Sequence, residues 1–135
     1  MRKILRQTLL RSAALWSVCA LVLLGCNSNF IPVPPPSEPT FQAITVLDAM
    51  GAERQVWQVS GPMSQSMKNA RVYIFNASLG LGVIVKATDS GAYTSGLFEG
   101  TVGDKVELSY ESPASDKSPV ICRRLQVGLA QSACD

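Results

Sequence analysis

At 135 residues, with 47% hydrophobic and 16% charged side chains, the chain has room for one small domain and its core. Four of its twelve basic residues, Arg2, Lys3, Arg6 and Arg11, precede every acid, so the formal +2 of the whole chain becomes −2 (eight basic residues, ten acids) once the N-terminal segment is set aside. No basic stripe remains to follow a phosphate backbone, which leaves nucleic acid out as a partner; the absence of histidine removes Ser-His-Asp and Cys-His triads and the commonest general base at neutral pH.

In chain order, the basic head is followed by an uncharged, mostly apolar run, Ser12 to Leu24, and then by the small residue Gly25. Thirteen residues at ~1.5 Å each reach ~20 Å, short of the ~30 Å hydrocarbon layer that a permanent span must cross. Residues 1–25 are therefore expected to be a helical export signal that is removed. An uncleaved anchor is the alternative, since no charge returns before Glu38. Pro32, Pro34, Pro35 and Pro36 speak against it, because proline lacks the backbone donor that a helix in lipid needs.

Leu23-Leu24-Gly25-Cys26 resembles the lipobox of bacterial lipoproteins, with an aliphatic residue three before the cysteine and a small one directly before it. The resemblance implies that Leu23 and Gly25 flank the cleavage point, that the Cys26 thiol receives diacylglycerol, and that the new amine carries a further acyl chain such as palmitate. Leu24 departs from the pattern, where a small residue is commoner. A thiol is required because sulfur is the nucleophile that takes the glyceryl group. Two or three acyl chains, at ~0.8 kcal/mol per buried methylene, hold a protein on a membrane for practical purposes permanently. Asn27 stands where an Asp would resemble an inner-membrane retention signal, so a cell-envelope location at the outer membrane is expected rather than the inner. Residues 26–40 then hold five prolines, which favour an extended stand-off tether on the order of 30 to 40 Å long. A proline-recognition ligand is the alternative reading.

From residue 41 to 135 the pattern is that of short strands. In "KVELSY", Val106, Leu108 and Tyr110 alternate with Lys105, Glu107 and Ser109, the period of a half-buried strand. "RVYIFN" from Arg71 and "GVIVKAT" from Gly82 are β-branched and aromatic, "AYTSGLF" from Ala92 alternates less cleanly, and "QVWQVSG" and "FQAITVLD" supply earlier strands. Ser118 to Val127 is expected to be the last. "LDAMGAERQVWQ" is compatible with a short helix. Gly80, Gly82, Asp89-Ser90-Gly91 and Gly100 to Asp104 punctuate the runs at the spacing of an all-β sandwich.

The run from Val59 to Tyr110 resembles the carboxypeptidase regulatory-like or prealbumin-like Ig sandwiches of bacterial envelope proteins. The matching residues are Val59-Ser60-Gly61, Ala70 to Asn76, Thr88-Asp89-Ser90-Gly91-Ala92-Tyr93 and Val102 to Leu108. The resemblance implies a small Ig-like, prealbumin-like β-sandwich and says little about activity. Ser64 to Asn69 and the segment from Cys122 to Cys134 are extra to the pattern.

Of the four cysteines, Cys19 leaves with the leader and Cys26 takes the lipid. Cys122 and Cys134 remain as an even pair in an oxidising compartment, expected as one disulfide closing an 11-residue loop. Zinc would need three or four ligands, and two cysteines with no histidine do not supply them, so no metal site is expected. Asp89, Glu99, Asp104, Glu107 and Glu111 are the acids available for a glycosidase pair, but each has a plainer place in a turn, a loop or a solvent-facing strand position. A Ca²⁺ site from Asp89 and Asp104 lacks a recognisable loop. Trp57 and Tyr73 would either form an aromatic platform for a sugar or peptide or be core aromatics.

The expectation is a membrane-anchored envelope lipoprotein, with no catalytic residue and no cofactor, whose sandwich has a structural or interaction role toward an envelope protein, peptide or glycan. A carbohydrate- or peptide-binding surface module is the runner-up, and a small carboxylate-dependent enzyme the third reading.

Overall fold

The structure is a computed structural model, described for Pro32–Leu129 together with Ala133 and Cys134. The expected signal segment, Leu23, Gly25 and Cys26 lie outside the described residues. Among the described residues nine strands follow in order: β1 (Thr40–Leu47), β2 (Glu53–Gly61), β3 (Arg71–Asn76), β4 (Leu81–Lys86), β5 (Tyr93–Thr94), β6 (Phe98–Glu99), β7 (Lys105–Glu111), β8 (Ile121–Arg124) and β9 (Gly128–Leu129). One sheet runs β5-β2-β1-β9, with β6 also on β2; the other runs β4-β3-β7-β8, and the named strand pairs are antiparallel. The fold is an all-β sandwich.

The two-residue period of β7 sets the second sheet. Val106, Leu108 and Tyr110 are buried, whereas Lys105 and Glu107 face solvent. Register carries the same inward face across the sheet, because Ile74 lies opposite Leu108 and Val72 opposite Tyr110. From the first sheet come Phe41, Trp57 and Val59, and Leu125 joins the same cluster from beyond β8. The added Ser64 to Asn69 connection holds one turn of 3₁₀ helix, Gln65–Met67, which inserts the Met67 side chain into this core.

Several expectations from the sequence change. Ser118 to Val127 is not the last strand: β8 covers only Ile121–Arg124, and β9 follows it. "LDAMGAERQVWQ" makes no helix: it is a strand end, a turn and the next strand. Asp48 Oδ1 accepts from the backbone N–H of Met50 at 2.8 Å and of Ala52 at 2.9 Å, and Gly51 supplies φ +81°. An Asx turn with its own glycine competes successfully with the first turn of a helix. "AYTSGLF" is two short strands, because the buried Ser95 hydroxyl accepts from Val59 N at 2.8 Å and interrupts the backbone ladder on β2.

At the end of the sandwich near the 3₁₀ turn, the β4–β5 loop packs on the β2–β3 connection. Gly91 has φ +79°, and a Cβ there would sit 1.7 Å from the Ser64 carbonyl oxygen, so only glycine fits. At the other end, the buried Asn76 gathers three segments. Its Nδ2 donates to Asp104 Oδ2 (2.9 Å) and to Glu99 O (3.2 Å), and its Oδ1 accepts from Ser78 N (3.0 Å) and Leu79 N (3.2 Å). Replacing Asn76 with alanine strands several of these groups, and we expect a loss of about 2–3 kcal/mol in urea unfolding.

The proline segment is partly packed on the domain. Pro36 and Pro39 are buried, and Val33 packs against the core cluster. Glu38 accepts from the Arg123 guanidinium of β8 in a two-pronged pair, one prong (Nε to Oε2) at 2.8 Å. The compact unit therefore takes in the chain from Pro32 onward, earlier than residue 41. Apolar ring surface explains it, since proline loses little side-chain entropy when it is covered. On the same strand Cys122 is bonded to Cys134, with Cα atoms 5.3 Å apart, and Arg123 bridges to Ala133. The disulfide closes a loop for which the chain-entropy estimate is ~2–3 kcal/mol.

Candidate functional site

Alternation in β3, β4 and β7 leaves their other side chains on the outer face of the second sheet. Tyr73 stands opposite Ile84 on one side and Ser109 on the other; Phe75 stands opposite Gly82 and Glu107; Arg71 stands opposite Lys86 and Glu111. Strands built of β-branched and aromatic residues at both parities form readily, yet they leave apolar groups on the solvent side. Ile84 is 66% exposed and Phe75 42%. The Phe75 ring leans toward Gly82, whose absent Cβ would lie 3.2 Å from Phe75 Cδ2 and 2.9 Å from Ile74 O. An open groove of about 280 Å³ runs along Tyr73, Phe75, Gly82 and Ile84, and a second hollow of about 350 Å³ lies between Tyr73, Ser109, Lys117 and Val120.

At one end of this face the Tyr73 hydroxyl donates to Glu111 Oε2 at 2.8 Å, and Arg71 Nη2 donates to Glu111 Oε1 at 3.0 Å. The Glu111 side chain is only 12% exposed, while that of Arg71 is 61% exposed. The bond from Tyr73, with Arg71 and Lys117 nearby, holds the Glu111 carboxyl below its ordinary range. The same bond, with the negative charge beside it, raises the Tyr73 hydroxyl. Elsewhere Arg123 lowers Glu38, and Asn76, with Thr101, lowers Asp104.

All three carboxyls titrate lower in the folded chain than in the unfolded one. Each contributes stability that is present above its unfolded value, 4.5 for the glutamates and 3.8 for Asp104, and is lost as pH falls through the lower folded value. Urea midpoints are expected to stay level from neutral pH to about 5 and to drop progressively below about 4.5. In Glu111→Gln that acid slope should be shallower.

The acids considered for catalysis do not converge. Glu107 and Glu111 share a face but are four residues apart on one strand, about 13 Å, wider than a glycosidase pair. Glu99 lies on the first sheet in an ion pair with Arg54 at 2.8 Å. Asp89 Oδ1 accepts from Asn69 Nδ2 at 2.6 Å beside the start of β3, whereas Asp104 bonds Asn76 at its end, so the two acids of the notional Ca²⁺ site stand at opposite ends of that strand. No group of three or more His, Cys, Asp or Glu suited to a metal occurs among the described residues.

The aromatic pair is also separated. Trp57 is fully buried and donates from Nε1 to Gly100 O at 2.9 Å, whereas Tyr73 is half-buried on the outside of the opposite sheet. A platform made of both does not form. Phe75 and Ile84, which sequence reading did not single out, are apolar neighbours of Tyr73; the signal for them was an apolar run at both parities in "RVYIFN" and "LGVIVK". No family model matches the chain, and no curated protein or solved structure does so either.

Proposed function

We propose that the chain is a lipid-anchored envelope protein, cut before Cys26, whose sandwich is non-catalytic and works by contact with other envelope components. The observation that carries this reading is the alignment of a basic head, a 13-residue apolar run, Gly25 and Cys26 in the order of a lipoprotein leader. The Cys122–Cys134 disulfide supports it, because such bonds persist in oxidising compartments. Asn27 favours the outer membrane. Intact mass of the membrane-extracted protein tests the proposal: the expected species begins at Cys26, carries diacylglycerol with a further acyl chain, and is two hydrogen atoms lighter for the disulfide. A species beginning at Met1, or one without lipid, would end it.

A second reading, a glycan- or peptide-binding module, is favoured by the Tyr73–Glu111 bond beside the open groove at Phe75 and Ile84. Glycan and peptide arrays probed with the extracted protein separate it from a purely structural part: saturable binding that is lost in Tyr73→Ala supports the module.

A further inference from the structure

Five of the eight basic residues that follow the leader stand on the outer face of the second sheet. Lys86 lies opposite no acid but next to Arg71, Lys117 bridges to Glu111, and Lys105 pairs with Arg124 across β7 and β8. Among the described residues Glu107 and Glu111 are the acids on this face, and Glu111 is already held by Tyr73 and Arg71. The other described residues have the reverse balance, three basic residues to seven acids, one of which, Asp116, sits in the loop beside Lys117. Nothing in strand formation demands this segregation, since any polar residue satisfies an outward strand position.

The centre of the face is apolar. Ile84 and Val120, 66% and 60% exposed, flank the positions of Tyr73 and Ser109, with Phe75 next along β3. Its two hollows are open and shallow rather than enclosing. An apolar, aromatic centre within a cationic surround matches the layered chemistry of an anionic lipid surface: phosphates for the ammonium and guanidinium groups, and the acyl boundary for the aliphatic and aromatic ones.

The packed proline segment supplies the location. With Val33, Pro36 and Pro39 against the domain, only six residues, 27–32, separate the proposed lipidated cysteine from packed chain. Fully extended they span about 20 Å, far less than the tether expected from the prolines alone. Glu38 fastens that segment to Arg123 on β8, an edge strand of the same sheet. A domain on so short a lead stays at the bilayer surface.

We propose that the outer face of the β4-β3-β7-β8 sheet docks on the anionic lipid headgroups of the membrane that carries the anchor. This rests on the lipid-anchored reading above. The flat, charge-segregated face is a membrane contact, and the opposite sheet is turned toward partners.

The test uses the membrane-extracted protein, its acylation verified by mass, in nanodiscs of phosphatidylcholine alone or with phosphatidylglycerol added. Amine acetylation at Lys86, Lys105 and Lys117 is followed by mass spectrometry. In anionic discs the three lysines should react roughly fivefold more slowly or less, with the protection removed by high salt. Ile84→Ser combined with Lys86→Glu, both exposed positions, should lose the protection at the two remaining reporters, Lys105 and Lys117, while keeping the wild-type urea midpoint. Equal rates in both discs overturn the proposal. So does equal protection in neutral discs, and so does protection that appears only when two copies share a disc, which would mark a self-association face. If the mass shows no lipid, the anchored reading fails separately. Salt-sensitive binding of that same protein to phosphatidylglycerol vesicles would then still support the face, and its absence would overturn it.

Discussion

Trp57→Ala should remove about 3–5 kcal/mol of stability, moving the urea midpoint by roughly 2 M or more, and should leave much of the protein unfolded under mild conditions. Trp57 is the largest fully buried side chain, on β2 between Ala43 of β1 and Phe98 of β6, so its loss opens a cavity where three strands meet. It also strands the Gly100 carbonyl that its Nε1–H satisfies. A small domain with a net stability of about 5–15 kcal/mol has little to spare against such a loss. Trp57→Phe separates the two parts: it keeps most of the ring volume but not the donor, and should cost about 1–2 kcal/mol. Far-UV circular dichroism is the proper probe, because Trp57 is the one tryptophan left after the leader, Trp16 being within it. A Trp57→Ala protein with an unshifted midpoint would mean that the two sheets are not held together through this residue.

The sandwich was legible because β7 states its own orientation. Lys105, Glu107 and Ser109 cannot face a core that Val106, Leu108 and Tyr110 fill, and hydrogen-bond register then orients β3 and β8 beside it. The candidate face was not legible for the complementary reason. Tyr73, Ile74 and Phe75 are all large and apolar, as are Val83, Ile84 and Val85, so periodicity alone leaves open which of them are outside; pairing with β7 decides it. Trp57 and Tyr73 look alike in the sequence, and only their membership of different sheets separates a core residue from a surface one.

Polar interior positions were hidden in another way. Asn76 ends a strand and precedes a turn, where asparagine is ordinarily a local turn residue. It does cap that turn, through Ser78 and Leu79, but its amide nitrogen also reaches Asp104 and Glu99, far along the chain. Ser95 is comparable: a serine in an irregular stretch whose hydroxyl replaces one rung of a ladder. Long-range partners of this sort leave no periodic trace. The proline segment misled for a compositional reason, since the same residues that favour an extended free tether also make a stiff apolar strap once a sheet edge is at hand. Val33, Pro36 and Pro39 take that second role, and Glu38 fixes it.

Cys26→Ser should change the fate of the whole chain while leaving the sandwich intact. Under the lipid-anchored reading, sulfur is the nucleophile that receives the glyceryl group, and removal of the leader follows that modification. Serine keeps the size and polarity but not the nucleophilicity, so the expected product is the unlipidated precursor with its leader uncut, seen by intact mass and by loss of incorporated fatty acid. The folded part should be unaffected, because every member of the core cluster lies in the unit that begins at Pro32. Its urea midpoint and Cys122–Cys134 bond should match the parent. The contrast with Trp57→Ala is then complete: one substitution abolishes the anchor and spares the fold, and the other does the reverse. A Cys26→Ser protein still cut at residue 26 and still carrying acyl chains would show that attachment uses some other group. The short lead of residues 27–32 would then no longer set the distance between the domain and the lipid.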